Sequence, residues 1–273
     1  MCGIFGIIYY GKTPLVMSEL NDIKELTSNL LSASQSRGRD ASGICMVTGE
    51  NKALVLRHHT TGYNLPTIPA YDKIMNQITS STGFKHMMGH TRAKTQGTER
   101  HNINNHPIIT DKVIGVHNGA INNDHHLFKL YKDGFPRAGE VDSEIIFRLL
   151  NYHIKREHSL TEAVKKTTNA LSGWYTCAFI HTDHPNYMTL FGSASASAML
   201  SDFRGVSTMI FASEDKIISD AADCIPAYRY PTAKIQLGGN SGIRINVSDG
   251  KIFKFSNGVM PITNTFDYMQ GGL

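Results

Sequence analysis

The sequence predicts a layered α+β fold, on three observations. Strand-like runs crowd both ends of the chain, amphipathic helical runs lie mainly in its middle, and no regular βαβ alternation links them, which disfavours a parallel doubly wound sheet. Residues 2–10 are a β-rich apolar run beginning at the second residue, so this strand carries its own amino terminus into a sheet. From residue 18 to about 31, Leu20, Ile23, Leu26, Leu30 and Leu31 recur at helical spacing, with Ser18 as N-cap. Runs at 43–48 and 52–57 around Gly49 and Glu50 read as a hairpin, and a short helix over 72–78 is entered from the turn containing Pro66 and Pro69. Three strand-like pieces follow between 86 and 117. Residues 142–156 carry Ile145, Ile146, Leu149, Leu150 and Ile154 on one face, and Ser159 with Glu162 makes a capping box for a helix reaching about 171. Strand-like runs then stand at 174–181, 187–191, 207–212, 233–237, 243–247 and 251–255, the last pair turned by Ser248-Asp249-Gly250.

Of the 273 residues, 41% are hydrophobic and 18% charged, which excludes disorder, collagen and coiled coil. A chain of this length buries a real core without staples. The four cysteines, at 2, 45, 177 and 224, form no CxxC pair for zinc, iron–sulfur or dithiol chemistry and suit a reducing, cytoplasmic setting. The first apolar stretch has no basic flank before it and ends at Lys12, too short for a spanning helix, so a soluble intracellular protein is expected. The net charge of +4 is spread without a Lys/Arg block, which argues against nucleic acid. No HExxH or two-His-plus-carboxylate spacing appears, and the His58-His59 and His125-His126 pairs read as surface residues, so neither metal nor another cofactor is expected. No internal repeat or linker divides the chain.

Cys2 is the chemically suggestive residue. Methionine aminopeptidase removes Met1 when the second residue is small, which would place a free α-amine beside the thiol. The amine titrates near about 7.7 to 8.0 and cysteine near about 8.5, so a base would stand next to a nucleophile. The competing reading is a small buried hydrophobe.

CGIFGI at 2–7 is followed by RGRDASG at 37–43, GHTRAKTQG at 89–97, NNHPI at 104–108, VHNGAINN at 116–123 and VDSEII at 141–146. In this order and spacing the segments resemble the class II glutamine amidotransferase domains, which have the N-terminal nucleophile hydrolase fold. The resemblance extends to LSGWYTCAF at 171–179 and to MIFASEDKIISDAA at 209–222, which resemble later strands of that domain. It implies a four-layer αββα sandwich with two antiparallel sheets, a domain over 2–255 and a tail over 256–273. It implies that the Cys2 thiolate attacks the side-chain amide of L-glutamine, forming a thioester that water hydrolyses. Asn118 and Gly119 would hold the oxyanion, although Asn-Gly is also the strongest two-residue hairpin signal. Arg92 would grip the substrate carboxylate and Asp142 its ammonium, while local sequence also suits Asp142 as a helix N-cap. Thr95 would add polar contacts, and His106 would support the pocket or make a structural hydrogen bond. Arg37, Gly38, Asp40 and Gly43 would buttress the nucleophile strand.

Three positions depart from the family pattern. Ala93 stands where an aromatic residue often follows the arginine, Gln96 where His or Ala is common, and Ser36 replaces a common histidine. The first two would remove a shielding or gating contact. No phosphate- or dinucleotide-binding fingerprint appears, and 18 residues are too few for an acceptor domain, so ammonia is expected to pass to a separate synthase-like protein. The alternatives are another N-terminal-nucleophile amide hydrolase, which the Arg92 and Asp142 pair opposes, and a glutamine-binding regulatory module, which needs neither Cys2 nor Asn118.

Overall fold

The computed structural model describes residues 1–157, 159–194 and 197–256. Strand β1 (Gly3–Tyr9) opens the chain and helix α1 (Met17–Ser34) follows. The hairpin of β2 (Ala41–Thr48) and β3 (Ala53–His58) leads through α2 (Pro69–Met75) into β4 (Phe84–Arg92). After a long loop come β5 (Ile108–Ile109) and β6 (Val113–Ile121), then α3 (Asp124–Leu130), α4 (Ser143–Ile154) and α5 (Leu160–Ala170). Next are β7 (Gly173–His181), β8 (Tyr187–Gly192), β9 (Ala198–Phe203) and β10 (Thr208–Ala212). Helix α6 (Asp215–Ala222) precedes β11 (Ala233–Leu237), β12 (Ser241–Asn246) and β13 (Ile252–Ser256).

Two antiparallel sheets result. One has seven strands in the order β11-β9-β10-β1-β4-β2-β3; the other has six, ordered β13-β12-β8-β7-β6-β5. Alternation along each strand sends apolar side chains to both faces, as a doubly covered sheet requires. On β1, Phe5 and Ile7 join α1 and α6 residues on the outer face, while Ile4 and Ile8 meet Ile114 and Val116 of β6 between the sheets. A third apolar layer, including Phe147, Leu150, Tyr175 and Phe179, lies between the six-stranded sheet and α3–α5. The architecture is therefore the four-layer αββα sandwich. Among the described residues no helix is long and apolar enough to cross a membrane.

Several local expectations need correction. Ser18 lies inside α1; the N-cap position is Val16, whose N–H donates to the Glu19 carboxylate at 2.8 Å. The acidic residue holds the helix start because valine has no side-chain acceptor. The helix expected over 72–78 begins at Pro69, whose fixed φ suits a first helical turn, and ends at Met75. Within 209–222 only residues 209–212 are strand, and 215–222 are helix. Its buried Ile217, Ile218, Ala221 and Ala222 repeat at helical spacing, and the small alanines let it pack close to α1. Helix α3 and strand β9 were not expected. The first buries just two apolar side chains, Leu127 and Phe128, and the second interrupts its apolar run with Ser201 and Asp202. Ser159 does cap α5, accepting from Glu162 N–H at 3.2 Å. The tail expected over 256–273 lies, apart from Ser256, outside the described residues.

Candidate active site

Pairing of Gly3 with Thr91 sets the start of β1 beside the end of β4, so Cys2 lies against the backbone just after Arg92. Cys2 shares the parity of Ile4 and Ile8, Arg92 that of Met88, and Asn118 that of Ile114 and Val116; all these apolar residues face the space between the sheets. Three named side-chain positions thus share one end of that space.

Around Cys2 the contacts are mainly backbone. Ala93 N–H donates to Sγ at 3.4 Å, and Sγ lies 3.6 Å from the Ala93 carbonyl. Burial pushes the thiol above its ordinary pKa; the Ala93 N–H, the amino terminus and Arg92 pull it down, and Asp142 pushes it up. Arg37 Nε donates to the Cys2 carbonyl at 2.7 Å, and its Nη1 pairs with Glu214. Gly38 is the close-approach position: a Cβ there would stand 2.3 Å from the Arg92 carbonyl carbon and 2.4 Å from Ala93 N. Asp40 adds two ties, its N–H to the Arg92 carbonyl at 2.9 Å and its carboxylate accepting from Lys94 N–H at 2.6 Å. A Cβ on Gly43 would meet the His106 carbonyl at 2.2 Å, so its missing side chain admits the loop that carries His106.

Arg92 is buried. It donates to Asn105 Oδ1 at 2.8 Å, to the Gly97 carbonyl at 2.9 Å and to the Gln96 carbonyl, so it also anchors the loop following β4. At 93 and 96, where the side chains depart from the family pattern, it is the backbone that makes these contacts. Burial lowers the guanidinium pKa, opposed by the charges of Cys2, Glu99, Asp40 and Asp142.

On β6, Asn118 is buried, and its Oδ1 has no partner among the described residues. Gly119 has φ +150°, and a Cβ there would come within 2.1 Å of the Trp174 carbonyl. Asn118 and Gly119 lie within the strand, pairing with Thr176 and Tyr175, so they are not a hairpin turn. Asp142 occupies the N-cap position of α4 without a side-chain capping bond; its Oδ2 instead accepts from Ile121 N–H of β6 at 2.7 Å.

Two further expected site residues lie on the loop between β4 and β5. Thr95 is exposed on the loop, and His106 is buried and stacked on His90 with ring centroids 4.0 Å apart. Neither ring nitrogen of His106 has a hydrogen-bond partner among the described residues, so the structural bond considered for it is not made there. Sequence reading passed over His90, His117, Ser143 and Glu214. All four lie within the quoted segments, but nothing in one dimension pairs them. Among the described residues no group of three or more His, Cys, Asp or Glu is arranged to hold a metal ion.

Residues 90–220 match the family model of a glutamine amidotransferase domain. Among curated relatives, the glutamine–fructose-6-phosphate aminotransferase (isomerizing) of Acinetobacter baylyi is 32% identical over 193 residues, which is 68% of this chain and 27% of that protein. The Haemophilus influenzae enzyme of the same name is 28% identical over 198 residues, covering 71% of this chain and 29% of its own. The chain therefore spans less than a third of the length of these relatives. The solved structure of glutamine phosphoribosylpyrophosphate amidotransferase from B. subtilis, complexed with ADP and GMP, superposes with TM-score 0.65 at 18% identity, over 96% of this chain and 50% of that one. That likeness establishes the fold.

Proposed function

The chain carries a class II glutamine amidotransferase domain of the N-terminal nucleophile hydrolase fold, and from that premise we propose that it hydrolyses the side-chain amide of L-glutamine to glutamate and ammonia. The supporting observation is the convergence of Cys2, Arg92, Asn118, Gly119 and Asp142, from β1, β4, β6 and the start of α4, at one end of the space between the sheets.

In this reading Met1 is removed and the α-amine of Cys2 accepts the thiol proton. Sγ attacks the amide carbon, and the amine returns the proton to the leaving ammonia. The γ-glutamyl thioester is then hydrolysed by water. Asn118 Nδ2–H and the Gly119 N–H donate to the tetrahedral oxyanion; one such donor is worth roughly 3–4 kcal/mol of barrier. Arg92 binds the substrate carboxylate and Asp142 the ammonium, which suits a free α-amino acid better than a peptide amide. Thr95 contributes from the exposed loop, and His106 supports the pocket from behind through its stack on His90. Arg37, Gly38, Asp40 and Gly43 hold the backbone on which Cys2 rests.

The described residues are taken up in one sandwich, which supports an ammonia acceptor outside them. We place it on a separate protein, with residues 2–255 as the glutaminase domain and 256–273 as a tail. Untagged protein incubated with L-glutamine should release equal glutamate and ammonia. A glutamine-analogue electrophile should add once, to a chain lacking Met1 by intact mass. The absence of both turnover and adduct would refute the reading, and amination of an acceptor by the pure protein alone would refute the separate partner.

A further inference from the structure

Behind the proposed site runs a chain of contacts that the chemistry above does not use. His90 of β4 donates from Nε2 to the main-chain carbonyl of His117 on β6 at 3.0 Å; since a carbonyl only accepts, His90 carries its proton on Nε2. The His117 ring turns away from the space between the sheets toward α4, where its Nδ1 lies 2.7 Å from Ser143 Oγ. The Ser143 hydroxyl reaches Asp142 Oδ1 at 3.5 Å, and Asp142 Oδ2 is held by Ile121 N–H at 2.7 Å. With the Ser143 proton directed at Asp142, His117 donates from Nδ1. Its Nε2 then sits under Gly119, 2.9 Å from where a Cβ would be. All three side chains, His90, His117 and Ser143, are buried, so solvent does not compete for these bonds.

We propose that His117 and Ser143 are positioning residues, tying β6 to the first turn of α4 so that the ammonium-binding carboxylate of Asp142 meets the substrate in one fixed register. The proposal rests on the glutaminase reading above. Its geometric basis is that β4, β6 and α4 each supply one group of the proposed site, Arg92, Asn118-Gly119 and Asp142 respectively. The chain from His90 through the main chain and ring of His117 and through Ser143 to Asp142 crosses all three elements. The main chain at 117 is held by His90 at its carbonyl and the ring by Ser143 at Nδ1, so the residue ties β6 to the first turn of α4. Ser143 directly follows Asp142, so anchoring its hydroxyl fixes the backbone from which the carboxylate projects.

A loss of positioning at Asp142 differs from a general loss of structure in what it does to substrate choice. Glutaramate has the amide and the carboxylate of glutamine but no α-ammonium. Wild-type protein, Ser143→Ala, His117→Leu and His117→Asn would each be assayed for ammonia release from both compounds. Cys2 labelling by the glutamine-analogue electrophile would be measured alongside. Ser143→Ala should lower the preference for glutamine over glutaramate about tenfold, through KM for glutamine, with glutaramate kcat/KM within about twofold of wild type. His117→Leu should lose the preference too, and His117→Asn should restore it, because the asparagine amide nitrogen stands near the place of Nδ1. If Ser143→Ala reduces both substrates equally, or neither, the positioning role is wrong while wild-type turnover keeps the glutaminase reading. If wild-type protein turns over neither compound and takes no adduct, both fall together.

Discussion

Cys2 sits where burial raises a thiol pKa and an N–H, an ammonium and a guanidinium lower it. Cys2→Ala should therefore leave less than about one percent of wild-type glutaminase turnover and no covalent adduct, with unchanged circular dichroism; an amino-terminal tag that blocks the α-amine should do the same. Arg92 holds the loop after β4 and is proposed to bind the substrate carboxylate, and its variants should test both. Lysine keeps the charge but cannot hold Gln96, Gly97 and Asn105 together through one planar fork. Arg92→Lys is expected to raise KM for glutamine about tenfold and to lower unfolding free energy by roughly 2–4 kcal/mol, from charge-assisted bonds lost in a buried setting. An unchanged denaturation midpoint would mean that the loop is held by other contacts. The arginine itself was legible from GHTR, but its grip on the loop was not, because backbone carbonyls carry no sequence identity.

Among the elements, β6 is the one whose local conformation the site depends on. Gly119 at φ +150° combines a conformation that L side chains avoid with a carbonyl in van der Waals overlap with any Cβ. Gly119→Ala should cost roughly 2–4 kcal/mol in urea unfolding and remove most turnover, since the strand must shift by the width of a methyl group just where the proposed oxyanion donor lies. Loss of activity at full stability would mean that the strand adapts and that only the N–H direction matters. The long amphipathic elements α1, α4 and α5 were readable because burying one face imposes a 3.6-residue period. Helices α3 and α6, of seven and eight residues, were missed because two turns carry too few apolar positions to establish a period, and their anchoring partners come from distant segments. Asp142 shows the same limit from the other side. Its position before SEII correctly marks a helix start, yet its carboxylate serves β6 rather than its own helix.

At the scale of the molecule, burying histidines between and beneath the sheets links stability to pH. Burial lowers His86 to about 4 and His90 to about 3, with His106 also well below 6.5. In the unfolded chain these groups titrate near 6.5, so between the two values the unfolded state binds more protons and is favoured as pH falls. The stability contributed by His86 and His90 is fully present above about pH 6.5 and is lost progressively toward pH 4 to 3, with a slope of about 2–3 kcal/mol per pH unit near pH 5 from the pair. Urea midpoints measured from pH 8 to 5 should be flat down to about 7 and fall steeply below 6.5. A flat profile to pH 5 would mean that these rings are protonated, or solvated, in the native protein.

The layered α+β class, the long amphipathic helices and the amino-terminal cysteine were already present in the chain of residue types, because periodicity and residue identity are local properties. Which groups meet was decided only by folding. The pairing of Gly3 with Thr91 brings the thiol to Arg92, and the seating of α4 on β6 turns Asp142 from a cap into an acceptor for Ile121. Burial then makes His90, His117 and Ser143 partners across three elements. Such contacts join residues 21 to 91 positions apart, and a hydrogen bond between them depends on distances that exist only once both sheets have closed on a common core.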